Sequence, residues 1–179
     1  MNLITLLGII GGTVLVLGAA WPVKTVSHPI KSTKNWLYAL GALILTVFAY
    51  LDYTYNGAPF FFLIYELYLV FASILMFLNV RERISFILLS IGGVAMVIWS
   101  LFLFEDYSTV IFILGIIGIA LGYTAKTGTR RRNIILCVAS ILLALFSYLG
   151  HSWVFFWLNV FFALFCAWYS RPSLYKNGS

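Results

Sequence analysis

Glu66 is the ionisable residue set deepest inside an apolar stretch of this sequence, about seven residues from the nearer edge of a block running from 59 to 80. In a helix that depth is roughly 10 Å along the axis at about 1.5 Å per residue. A carboxyl so placed costs at least ~2 to 3 kcal/mol on insertion scales, so such groups face a cavity, a partner or a solute path. Apolar surroundings favour its neutral form, which would also let it carry a proton. Asn159 occupies a similar depth in the last apolar block, and its amide, with two donors and one acceptor, suits hydroxyls or a carboxamide. Tyr65, Tyr68, Phe155, Trp157 and Phe162 lie close by in sequence and could wall a flat ring, with Tyr50 and Tyr148 as hydrogen-bonding neighbours. The plainer alternative is interhelical adhesion, in which Glu66 bonds Tyr50, Tyr148 or Asn159 and the aromatic residues pack or face lipid.

Other chemistries lack their residues. His28 and His151 have no Cys, His or acidic partner at ligand spacing, so no metal is expected. No G-x-S-x-G, H-E-x-x-H or paired intramembrane acids occur, so no enzyme and no cofactor are expected. A retinal Schiff base would need a lysine in the last block, which has none. Cys137 and Cys166 both fall inside apolar blocks and read as packing residues.

The elements that must hold Glu66 and Asn159 are set by composition. Of 179 residues, 63% are hydrophobic and 9% charged, against roughly 25% charged in soluble domains. So few charges cannot cover a water-facing surface. The apolar blocks, at 3–21, 36–55, 59–80, 84–104, 108–125, 133–150 and 152–170, each match the length of a membrane-spanning helix. Residues 1–21 lack a basic leader region and a small-residue cleavage pattern before Pro22, so they read as a permanent span. Trp21-Pro22, His28-Pro29, Asn56-Gly57 with Pro59, Arg81-Glu82-Arg83 and Thr127-Gly128 punctuate the joints.

Charge then sets an orientation. All 11 basic residues lie in alternate joints: Lys24, Lys31 and Lys34; Arg81 and Arg83; Lys126 and Arg130 to Arg132; Arg171 and Lys176. Asp52, Glu105 and Asp106 lie in the others. Positive loops stay in the cytoplasm, so the amino terminus is expected outside and the carboxyl terminus inside, in a plasma or inner membrane. The net charge of +6 is thereby a matter of topology, not nucleic-acid binding. The run Arg130 to Arg132 could also touch anionic lipid. Trp21, Trp36, Trp99, Trp153 and Trp168 fall near block ends, where indole rings prefer the headgroup layer.

The chain also matches itself. L-G-I-I-G at 7–11 recurs at 114–118, Asn35 aligns with Asn133, F-A-Y-L at 48–51 with F-S-Y-L at 146–149, and Glu66 with Asn159. Three spans repeat in order around a fourth, giving an all-α membrane fold of seven spans in a 3+1+3 arrangement of parallel triple-helix bundles. The units are 1–80, a linker span within 81–107, and 108–179 with its tail.

This arrangement, with W-P-V-K at 21–24, N-W-L at 35–37 and Pro59, resembles the SWEET and PQ-loop superfamily, whose fold group includes bacterial nicotinamide riboside transporters. Val23 stands where the Pro-Gln pair has Gln, and span five has no matching proline. Sugar-carrying members have a pocket Asn in the third helix of each repeat; vitamin-carrying relatives tolerate Gln or Glu there. Y-E-L-Y-L-V-F-A-S at 65–73 looks closer to the latter. The resemblance implies facilitative alternating-access transport of a sugar, or of a vitamin or nucleoside such as nicotinamide riboside, with Glu66 and Asn159 in the pocket. The expected partners are that small solute and the bilayer, with homo-oligomerisation open. A receptor or assembly protein using the same bundle without a conducting path is the rival from another class.

Overall fold

In the computed structural model, residues 2–21, 28–104, 106–125 and 129–171 are described, so Trp21-Pro22-Val23-Lys24 past its first residue, Glu105, Lys126 to Gly128 and Lys176 lie outside the described residues. The chain forms seven helices: α1 (Leu3–Ala20), α2 (Thr33–Asn56), α3 (Phe61–Phe77), α4 (Glu82–Phe102), α5 (Tyr107–Thr124), α6 (Arg130–Leu149) and α7 (Trp153–Tyr169). No strand occurs among the described residues. Five helices are long and apolar enough to cross a membrane, while α3 and α7, at 17 residues each, are shorter. Their outer faces are Leu, Ile, Val and aromatic side chains left exposed, the surface a bilayer solvates. Trp21, Trp36, Trp99, Trp153 and Trp168 are exposed at helix ends.

Local chemistry sets the ends. Ser32, Asp106 and Thr129 cap α2, α5 and α6 by accepting from the backbone N–H of Asn35, Ser108 and Arg132. Gly57, at φ 69°, closes α2 in the left-handed conformation that glycine adopts without strain. The Thr129 cap lets α6 begin at Arg130, a turn before its apolar block, and α3 ends at Phe77, before Asn79 turns left-handed at φ 49°.

Each helix packs on the next in sequence, and α1 meets α7, closing a ring. Residue sums constant to within one show the antiparallel pairing: Gly8 lies against Phe48, Gly11 against Leu45 and Gly18 against Leu37 in α1–α2. In α5–α6, Gly115 lies against Leu143, Gly118 against Ala139 and Gly122 against Leu136. The first half of α3, residues 61–66, is buried on every side, and its rings reach α5, α6 and α7.

Candidate functional site

The centre of the ring is an aromatic knot with two polar side chains beneath it. Phe62 of α3 stacks on Phe155 of α7, with centroids 4.4 Å apart and planes 2° from parallel. Phe48 of α2 leans on Phe155 at 5.5 Å, and Phe146 of α6 leans on Phe62 at 5.4 Å. Phe61 and Phe112 complete the cluster at 4.9 Å. α3 and α7 run in the same direction, because each is antiparallel to its preceding helix and α1 and α7 meet at their carboxyl ends through the Tyr169 hydroxyl and the Ala20 carbonyl. One turn further along from the stack, Glu66 and Asn159 therefore reach the same level of the bundle.

Both are buried, Glu66 at 0% and Asn159 at 2% exposure. Asn159 donates from Nδ2 to the Phe155 carbonyl at 2.9 Å, a bond within its own helix. Neither carboxyl oxygen of Glu66 has a hydrogen-bond partner, and they are the only such buried side-chain atoms among the described residues. The hydroxyls of Ser100, Ser140 and Ser147 are each turned back onto a carbonyl of their own helix. A buried acid left unmatched costs about 1 to 3 kcal/mol or more. What it can do chemically is accept from an N–H or O–H, or hold a proton and donate it.

Tyr65 and Tyr68 are buried alongside Glu66 on α3, and Tyr68 donates to the Leu89 carbonyl of α4 at 3.2 Å. Phe155 and Phe162 also face inward. The structure does not bring Tyr50, Tyr148 and Trp157 to this group: all three are more than half exposed on the outer surface. Tyr148 packs there on Trp153 and Phe156, and Trp157 on Phe156 and Phe161. Hydrogen bonds from Glu66 to Tyr50, Tyr148 or Asn159 are not made. Among the described residues no cluster of His, Cys, Asp and Glu could hold a metal.

Sequence reasoning passed over Phe62, whose signal was an aromatic residue one turn before each of the two polar positions. It also passed over Tyr38 and Tyr123, half-buried near the end of the bundle where the basic residues gather. Two shallow grooves on the outer face of α6 and α7 are apolar and lie away from Glu66. No family model, curated protein or solved structure matches the chain.

Proposed function

We propose that the chain is a facilitative alternating-access carrier of a small polar solute, sugar-like or vitamin-like, bound between Glu66 and Asn159. The observation that carries this reading is Glu66: a fully buried carboxyl with two unmatched oxygens in the middle of an apolar ring. Adhesion between helices would give it a partner. A solute N–H or O–H would supply the partner that this chain's own groups do not.

Paired contacts support a 3+1+3 repeat in this reading. Phe48 on Phe155 and Phe146 on Phe62 are the same contact exchanged between repeats, if Phe48 matches Phe146 and Phe62 matches Phe155. Glu66 then matches Asn159. In the same match the stack pairs equivalent rings of the two repeats. In α1 and α5 the packing favours matching Gly11 with Gly115, since they meet Leu45 and Leu143, which match when Phe48 is matched with Phe146. That match is displaced by one turn from the L-G-I-I-G identity. Parallel repeats around a central site are how rocking carriers are built. In this reading α4 is the inverting linker, the basic end is cytoplasmic and the Phe62–Phe155 stack closes the outer path.

Uptake of labelled sugars, nucleosides and nicotinamide riboside into proteoliposomes tests the proposal. Saturable flux lost in Glu66→Gln and Asn159→Ala, both still folded, is the expected result. No flux over the panel, with no solute stabilising the parent protein, would favour a receptor or assembly protein. Proton linkage is read in the same assay from the effect of an imposed pH gradient.

A further inference from the structure

The basic end of the bundle holds a second arrangement that solute binding at Glu66 does not use. Lys31, Arg81, Arg83, Arg130, Arg131 and Arg171 are exposed, as cations at a membrane surface normally are. Lys34 and Arg132 are instead half-buried. Lys34 donates from Nζ to the Trp21 and Ala19 carbonyls at 3.0 and 3.4 Å, at the carboxyl end of α1. Arg132 donates from Nε to the Gly122 carbonyl at 3.2 Å, near the carboxyl end of α5. The two occupy equivalent places at the starts of α2 and α6. Each also lies over tyrosine rings: Lys34 at 5.9 and 5.8 Å from Tyr38 and Tyr169, Arg132 at 5.8 Å from Tyr123.

Tyr169 links the two starts, its ring 5.8 Å from the Lys34 Nζ and its carbonyl accepting from Asn133, next to Arg132, at 3.2 Å, and neither cation forms an ion pair among the described residues. The carboxyl ends of α1 and α5 meet part of each charge, and an anion held by both cations would offset what is left. Donor capacity remains, because the terminal nitrogens of Arg132 make no hydrogen bond among the described residues. A guanidinium fork and an ammonium are the donors that take a carboxylate or phosphate.

We infer that Lys34 and Arg132, with Tyr38, Tyr123 and Tyr169 around them, form a binding site for an anionic group, carboxylate or phosphate, at the basic mouth of the bundle. Tyr123 also meets Tyr68 edge-on at 6.4 Å, and Tyr68 sits on the same helix as Glu66.

Binding tests this without any need for flux. The full chain in non-ionic detergent is unfolded thermally with inorganic pyrophosphate or with sodium chloride at matched ionic strength. A saturable rise in Tm specific to pyrophosphate is expected, with apparent affinity reduced about tenfold or more in Lys34→Gln and Arg132→Gln. Arg81→Gln and Arg131→Gln should bind like the parent. A second arm compares nanodiscs with and without phosphatidylglycerol: stabilisation there that requires Lys34 and Arg132, without a pyrophosphate effect, assigns the site to a lipid headgroup. If the variants fail to fold, amine acetylation of the parent followed by mass spectrometry replaces them. Saturating pyrophosphate or phosphatidylglycerol should slow modification of Lys34 and leave Lys31 unchanged. Neither anion stabilising the protein or protecting Lys34, or equal losses in Arg81→Gln and Arg131→Gln, would overturn the inference.

Discussion

Phe62 and Phe155 lie face to face, 4.4 Å between centroids and 2° from parallel, one helical turn before Glu66 and Asn159 respectively. The stack separates the polar pair from the end of the bundle that carries Asp52 and Asp106. Removing either ring should open that route. With Cys137 and Cys166 replaced by Ala and a cysteine placed by Glu66→Cys, labelling by an impermeant thiol reagent from that end should accelerate about tenfold or more in Phe62→Ala and Phe155→Ala. Each truncation should also cost roughly 3 kcal/mol, the range of a buried Phe→Ala change. Unchanged labelling in both variants would mean that the stack is packing and closes nothing.

Glu66 separates binding from adhesion by a stability measurement. Because both its oxygens lack partners, replacing it with an apolar residue of similar size removes an unmatched group without breaking a hydrogen bond. Glu66→Leu should leave thermal stability unchanged or raise it by about 1 to 3 kcal/mol while abolishing solute-dependent stabilisation. A loss of stability of that size in Glu66→Leu would show that the carboxyl holds helices together.

The helices and the two polar depths were legible because apolar length and charge placement are one-dimensional signals: a block of spanning length must be a helix when water is absent. Helix ends shifted where a cap intervened, as Thr129 did for α6. Rotation about each helix axis was not legible. Tyr50 and Tyr148 stand beside Ala49 and Ser147, which are buried, yet their own rings face outward. In a chain apolar on every face, no polar stripe marks which side is inside. The register of the proposed self-match was likewise hidden, since any glycine among Leu and Ile can be slid by one turn to another.

Gly41 and Gly12 should respond oppositely to the same substitution. A Cβ at Gly41 would stand 2.8 Å from the backbone nitrogen of Leu15 and 2.9 Å from its Cα, atoms that cannot rotate away. Gly41→Ala must therefore push α1 from α2, at a cost of about 1 to 3 kcal/mol. A Cβ at Gly12 meets nothing within 4 Å among the described residues, so Gly12→Ala should be neutral or stabilising by up to about 1 kcal/mol through helix propensity. Thermal unfolding of the two variants in one detergent checks the ordering, and a destabilised Gly12→Ala would place something against that face of α1 that this chain does not itself supply.

Asp106 gives the bundle a dependence on acidity at its acidic end. Its carboxylate accepts from both the hydroxyl and the backbone N–H of Ser108, and these bonds hold its pKa below the usual carboxylate value. A group whose pKa is lowered by folding adds stability above its unfolded pKa, about 4, and that contribution disappears as pH falls through the folded value. The Tm difference between the parent and Asp106→Ala should be constant from neutral pH to about pH 5, then narrow on further acidification. Asp106→Asn keeps an acceptor for the first turn of α5 without a titrating group, so its Tm should fall less with acid than the parent's. Ser108→Ala removes one of the two donors and should bring the narrowing to a higher pH. A gap that widens in acid would assign the pH response to another group.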